Sequence, residues 1–344
     1  MSELPHPAQQ PTPVEIFRIL QSYQQSFILK AAVELEVFTA IARGSATAKE
    51  IAGACGASPR GIRILCDALT VNQLLAKTDD RYSLTQDAAF FLDSRSPAYM
   101  GNALKFLLRP AILKNMENLA EAVKLGGAPA DRNSLAPDDP IWVDFARGMA
   151  PLMVPAAQAI AQLLQPALAK RTSSKVLDIA AGHGTFGITV AQCAGNAHVY
   201  AVDWKNVLEV ACENASARGV GERYHAIPGS AFDVDYGKDY DAVLVTNFLH
   251  HFDPSGNVAL LKKIAAALRP GGQIVILEFV PNADRVSPPI PALFSVTMLS
   301  DTPAGDAYTF TELSEMCRNA GFEGPRLIPL SPLPQALVVA QRPA

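Results

Sequence analysis

The chain has 344 residues, 49% of them hydrophobic and 18% charged, with a formal net charge of −4. That length accommodates about two domains, and the composition is that of an ordinary globular protein. The mildly acidic balance argues against a general nucleic-acid or anionic-membrane binder, either of which needs a basic surface.

Residues 1–12, polar and Pro-rich, read as a tail, with no basic segment followed by an apolar run as in a signal peptide. No apolar stretch approaches the ~20 residues that span a bilayer. Cys55, Cys66, Cys193, Cys212 and Cys317 are scattered without a C-x-x-C pair. They suit a reduced cytoplasm rather than a disulfide framework or a metal site. From Val14 the pattern is helical, with Phe17, Leu20, Phe27, Ala31 and Leu35 spaced along one face. A short helix over Ala48–Cys55, the turn "SPRG" and a second helix over Ile62–Leu75 follow. "LLAKTDDRYSLT" then alternates about an Asp-Asp turn and reads as a β-hairpin wing. Helix, turn, helix and wing make residues 13–97 a winged-helix-like domain. Its second helix has Arg60 and Arg63, but Asp67 follows and most other positions are apolar. A groove-reading helix needs several cations and polar groups, so dimerisation explains this domain better than DNA binding.

Residues 98–168 read as a helical linker interrupted by the loop "GGAPADRNSLAPDDP". Trp142, Phe145, Met149, Leu152 and Met153 form an apolar stripe after it. Packing between domains accounts for such a stripe, and so does the lining of a substrate pocket, since Met fits irregular shapes.

Over residues 169–344 the period switches. "KVLDIA", "HVYAVD", "YHAIPG", "DAVLVTNFL", "QIVILEF" and "ALVVAQ" are strands, with helices such as Val207–Arg218 and Val258–Leu268 between them. Near-continuous apolar strands alternating with helices imply a buried, mainly parallel, doubly wound α/β sheet of the Rossmann-like kind.

In such sheets the ligand lies beyond the C-terminal strand ends. The first strand ends at Asp178 and leads into Gly182-His-Gly184-Thr-Phe-Gly187. This G-x-G-x-x-G is a weak signal by itself. It fits a dinucleotide, whose pyrophosphate sits on the helix N-terminus, and it fits S-adenosylmethionine, which needs only close backbone approach. Gly187 suits close packing of the helix on the sheet. Asp203, about twenty residues on and followed by Trp204, can accept from ribose hydroxyls of either cofactor. Ala231 and Phe232 can flank an adenine, while Asp233 and Asp235 suit a turn. Asn247 stands at the end of the fourth strand and is counted among the cofactor contacts. His250 and His251 follow. On an extended strand end they point to opposite sides, so a shared metal is disfavoured and one of them can act as a general base. Glu278, ending the fifth strand, stands ready to orient that imidazole.

"VLDIAAGHG", "AVDW", "LHHFD" and "ALRPGGQIVILE", in this order, resemble class I S-adenosylmethionine-dependent methyltransferases. With "FARGM" and "GDAYTFTEL", the chain from Val14 resembles the small-molecule O-methyltransferases of the plant caffeate and bacterial polyketide type. The resemblance implies a winged-helix dimerisation domain, a homodimer, and a sheet closed by a hairpin with an antiparallel last strand. "AGFEGPRLIPLSPLPQALVVAQ" is suited to that hairpin. It implies that Gly182, Gly184 and Asp203 bind the cofactor, that His250 is the base and that Glu278 assists it. His251 stands where plant members carry Asp. The first glycine of the loop is Ala180, acceptable at negative φ. Ser230 and Thr246 replace an acid and a lysine that touch the cofactor, and Ala307 replaces a second acid beside the histidine.

The expected reaction is O-methylation of a phenol or enol, aromatic or polyketide-like. A phenol near pKa ~10 and an imidazole near ~6.5 make full prior deprotonation uphill by about 5 kcal/mol, so the base acts as the methyl transfers. Phe145, Met149, Met153, Phe294 and Met298 are the expected pocket residues. C- or N-methylation or another S-adenosylmethionine-using reaction on the same fold, a winged-helix regulator and a dehydrogenase are the competing readings. The dehydrogenase is disfavoured because little chain remains after the sheet for a hydride-acceptor domain.

Overall fold

The computed structural model describes residues 11–129 and 140–344. Most of the expected tail and residues 130–139 of the expected loop lie outside the described residues. The chain divides into two compact units, one up to Leu108 and one from Arg109 to Ala344.

The first unit contains α1 (Val14–Gln21), α2 (Tyr23–Glu34), α3 (Val37–Ala42), α4 (Ala48–Cys55), α5 (Pro59–Val71), β1 (Leu75–Thr78), β2 (Arg81–Leu84), α6 (Gln86–Phe91) and α7 (Gly101–Leu107). Local chemistry sets the starts of α4 and α5. Thr47 and Glu50 form a capping box on α4. On α5 the Ser58 hydroxyl accepts from the Gly61 N–H at 3.0 Å, ahead of Pro59 in the first turn. Each such cap contributes about 1 kcal/mol. The second helix, expected over Ile62–Leu75, instead starts at Pro59 and stops at Val71. Gln73 takes φ 60, which ends the helix and turns Leu75 into the wing. β1 and β2 pair antiparallel about Asp79 and Asp80, as the alternation predicted. Phe38, Ile51, Ile62 and Leu69 are completely or almost completely buried in the core. Asp67 binds Arg63 at 2.9 Å and Lys77 at 2.6 Å, and accepts from the Tyr82 hydroxyl at 2.7 Å. That acid fastens the wing to α5 and engages Arg63, one of the two cations that α5 would present to a groove.

The second unit opens with α8 (Pro110–Glu117), α9 (Leu119–Leu125) and α10 (Pro140–Leu168). Then come β3 (Ser174–Ile179), α11 (Thr185–Cys193), β4 (Ala197–Asp203), α12 (Lys205–Ala217), β5 (Tyr224–Pro228) and β6 (Tyr240–Thr246). The chain closes with α13 (Pro254–Ala267), β7 (Leu268–Glu278), α14 (Pro289–Asp301), α15 (Phe310–Asn319), β8 (Glu323–Pro329) and β9 (Ala336–Gln341). Seven strands form one sheet in the order β5-β4-β3-β6-β7-β9-β8. The first five are parallel, and β9 inserts antiparallel between β7 and β8. Every residue of β6 is buried, as a central strand covered on both faces requires. Strand order reverses between β3 and β6, which opens the ligand crevice at their C-terminal ends. No described helix is long and apolar enough to cross a membrane.

Candidate active site

The loop after β3 is held mainly by backbone. Gly182 at φ 56 donates its N–H to Asp203 Oδ2 at 2.8 Å, while Asp203 Oδ1 accepts from the Trp204 N–H at 2.7 Å. A Cβ on Gly182 would meet only the Ala180 carbonyl, at 3.9 Å, so its conformation rather than its space calls for glycine. Gly184 differs. At φ 74, a Cβ there would lie 2.8 Å from Tyr224 Oη and 3.0 Å from Ile188 Cδ1. A Cβ on Gly187 would lie 2.6 Å from Val199 Cγ1 and 2.8 Å from Asp178 Oδ2, so the third glycine seats α11 on the sheet. Ala180 is a correction: its φ is 53, not negative. The loop accepts left-handed strain there, costing roughly 1–2 kcal/mol for a residue with a Cβ.

Two carboxylates face this loop. Asp178 Oδ2 accepts from the Gly187 N–H at 3.0 Å, and its buried Oδ1 has no partner among the described residues. Burial, opposed by that hydrogen bond and reinforced by Asp203, pushes the Asp178 carboxyl up to about 7. Burial pushes Asp203 up to about 6 against the two N–H groups it accepts. Unused acceptor positions on two acids suit a ligand that donates hydrogen bonds. His183 is neutral within the loop. Burial takes it down to about 4, and its Nδ1 accepts from the Thr185 N–H at 3.0 Å.

The turn after β6 is organised by side chains. The fourth strand, expected to run through Leu249, ends at Thr246, because Asn247 takes φ 52 and Leu249–His251 form a turn of 3₁₀ helix. The two histidines therefore do not alternate as on an extended strand. Their rings lie side by side, centroids 4.3 Å apart. Glu278, at the end of β7, reaches under this turn. Its Oε1 accepts from the N–H groups of Phe248 and Leu249 at 3.0 and 2.8 Å, and its Oε2 meets His250 Nδ1 at 2.6 Å. Both side chains are buried. Ala307 is buried and brings no second acid, although the neighbouring Asp306 N–H donates to the His250 carbonyl at 3.0 Å. Burial and the adjacent His250 hold His251 well below its usual value. Among the described residues no group of three or more His, Cys, Asp or Glu side chains is placed to hold a metal.

The other expected residues divide into groups. Phe294 of α14 meets His250 edge-on, centroids 4.9 Å apart. Met298 is buried further along α14. Phe145 packs edge-on against Trp142 at 6.0 Å. Met153 is buried in the core between α10 and the sheet, with Met149 packed against it. Met153 Sδ also accepts from Asn247 Nδ2 at 3.5 Å. Asn247 Oδ1 accepts from Gln335 Nε2 at 2.9 Å, a residue from the hairpin that the sequence did not single out. Trp204 packs with Trp142, Val207 and Val210 beside Asp203. Ala231 is buried, and the more exposed Phe232 packs edge-on against Phe252 at 4.9 Å. Lys263 Nζ donates to the carbonyls of both Ala231 and Phe232.

Comparison with known proteins adds the family. Residues 17–94 match the O-methyltransferase dimerisation domain, and residues 176–272 match a methyltransferase domain. A crystal structure from Nostoc punctiforme PCC 73102, assigned to the O-methyltransferases, superposes with a TM-score of 0.92 at 47% identity. The match covers 97% of this chain and 100% of that one. The 3-hydroxy-5-methyl-1-naphthoate 3-O-methyltransferase of Streptomyces sahachiroi is 28% identical over 85% of this chain and 84% of its own length. The tetracenomycin 8-O-methyl transferase TcmO of Streptomyces glaucescens is 26% identical over 96% of this chain and 97% of its own length. With the reversed sheet, the glycine loop and the paired histidine and glutamate already in place, these matches show that the chain belongs to the S-adenosylmethionine-dependent O-methyltransferases.

Proposed function

We propose that His250 is the general base that takes the hydroxyl proton of a phenolic or enolic small molecule as its oxygen is methylated. One observation carries this: the 2.6 Å contact between His250 Nδ1 and Glu278 at the mouth of the sheet. With Nδ1–H held by the carboxylate, Nε2 is the ring nitrogen left to accept a proton. The same carboxylate stabilises the imidazolium that results.

S-adenosylmethionine, when bound, supplies a methyl carbon made electrophilic by its sulfonium, with a neutral thioether as leaving group. Asp203 would accept from its ribose hydroxyls, with Asp178, Gly182, Gly184 and Trp204 shaping the loop around it. Ala231 and Phe232 would flank the adenine, and Asn247 would face the cofactor from the end of β6. Phe145, Met149, Met153, Phe294 and Met298 would line an apolar acceptor pocket that excludes water and fixes the approach of the oxygen. The aromatic hydroxyl named in the Streptomyces sahachiroi relative's description supports an aromatic acceptor here.

The second part of the reading is a homodimer through residues 13–97, with residues 98–168 contributing to the pocket and 169–344 carrying the cofactor. On α1, Val14, Ile16, Phe17, Ile19 and Leu20 are 56–64% exposed, a face that a second copy would cover. All five cysteines are unpaired, which suits a reducing, cytoplasmic setting.

The test is His250→Ala, with S-adenosylhomocysteine affinity and turnover measured separately on a panel of phenolic and enolic acceptors. Affinity should stay within about two-fold while turnover falls by about 10²–10⁴. Turnover near the wild-type rate would remove His250 from the role.

A further inference from the structure

We propose that Trp142 and His251 form a neutral polar subsite that holds a second oxygen of the acceptor, close to the one that is methylated. This rests on the reading above, in which the reacting oxygen lies at His250. A continuous aromatic wall runs past that point. Phe279 stacks on Phe294 at 4.1 Å, Phe294 meets His250 at 4.9 Å, and His250 lies 4.3 Å from His251. The His251 ring then meets Trp142 at 5.7 Å with planes at 89°, and Trp142 meets Phe145.

Three polar atoms in this wall decide the matter. His250 Nδ1 is engaged by Glu278. His251 Nδ1 and Trp142 Nε1 are buried, and neither has a hydrogen-bond partner among the described residues. Buried polar atoms are nearly always paired. Two unpaired ones on touching rings, beside the proposed base, mark a place where a ligand atom belongs.

The chemistry of the two atoms narrows the ligand. An indole N–H only donates, so its partner must accept. His251 is held neutral by burial and by His250, so it offers no charge to a carboxylate. The Glu278 carboxylate on the other side of His250 repels an anion as well. The partner is therefore an uncharged oxygen, a hydroxyl or a carbonyl. A hydroxyl satisfies both residues by accepting from Trp142 and donating to His251 in its Nε2–H tautomer. Imidazoles 4.3 Å apart reach two oxygens separated by two or three carbons, not oxygens at opposite ends of a ring system. The acceptor class is thus a vicinal diol on an arene, an ortho-acyl phenol or an enolised 1,3-dicarbonyl.

The probes are 2,3-dihydroxynaphthalene and 2-naphthol, titrated into the protein with saturating S-adenosylhomocysteine and then assayed with S-adenosylmethionine. The diol should bind about ten-fold more tightly than the mono-ol, a ratio one or two good hydrogen bonds supply. Trp142→Phe and His251→Phe should each bring that ratio close to one, and His251→Asn, whose amide takes the place of Nδ1, should restore part of it. No measurable preference for the diol overturns the proposal. So does an intact preference in the two Phe variants, or a loss confined to S-adenosylhomocysteine affinity, which would assign the pair to the cofactor. A diol that binds preferentially yet is not methylated upholds the subsite and instead sinks the O-methylation role given to His250.

Discussion

At the end of β3 the chain shapes its own loop: Ala180, Gly182 and Gly184 take positive φ, and the N–H groups of Gly182 and Gly187 bind acids that end β4 and β3. At the end of β6 the turn is shaped from elsewhere. Glu278 comes from β7, Gln335 from the hairpin and Met153 from α10. The first arrangement needs small residues at fixed spacing in one segment. The second needs several segments to converge in the folded sheet. A change in the loop should therefore appear first as lost stability or cofactor affinity, and a change in the turn first as lost turnover.

Glu278→Gln should have the largest effect. The amide oxygen can still accept the N–H groups under the turn, but its NH₂ would face His250 Nδ1. The proton then moves to Nε2, the wrong tautomer for a base, and kcat should fall by about 10²–10⁴, as when a catalytic histidine loses its orienting acid. Near-normal kcat with intact cofactor binding would erase the distinction between loop and turn.

Gly184→Ala comes next and should act on stability. Left-handed φ and the 2.8 Å approach to Tyr224 Oη together should cost roughly 2–4 kcal/mol. Gly182→Ala, strained by φ alone, should cost about 1–2 kcal/mol. Denaturant unfolding of the two variants measures the difference, and equal losses would show that packing behind Gly184 is not what distinguishes them.

The smallest effect is in pH. Ribose hydroxyls donating to Asp203, as proposed above, would favour its ionised form, and its pKa is about 6. S-adenosylhomocysteine affinity should fall about ten-fold from pH 7 to pH 5, by the protonated fraction of a single group. Stability without ligand should move the opposite way. Asp203 and Asp178 have folded pKa values above the ordinary 3.8, at about 6 and about 7. Their contribution is fully present at low pH and is lost as pH rises through those values. Calorimetric titration across this range checks the first part and thermal unfolding the second. Flat affinity would detach Asp203 from the ribose.

Much of the fold was legible because its signals are local. The wing between β1 and β2, the six strand segments and the closing hairpin all stood out by apolar period and turn residues. Gly187 packs as its context predicts, because a helix leaving a sheet needs a small residue there. The misreadings fall where the backbone departs from its local pattern. Ala180, Gln73 and Asn247 take positive φ without being glycine, and nothing in their neighbours announces it. The error at Asn247 propagated: an extended end would have set His250 and His251 apart, whereas the 3₁₀ turn sets their rings side by side.

Periodicity and spacing within short segments encode the α/β class, the crevice at the strand ends, the glycine loop and the place of Glu278 at a strand end, whereas His250 is preferred to His251 only through the resemblance to the methyltransferase family. The folded sheet alone lets Glu278 hold both the imidazole and the N–H groups beneath it, and brings Gln335 and Met153 onto Asn247. The tertiary structure alone placed Trp142 against His251, 109 positions apart by the difference of their residue numbers. Such contacts depend on which strands are neighbours and on how a backbone turns at one residue, and no local pattern carries that information.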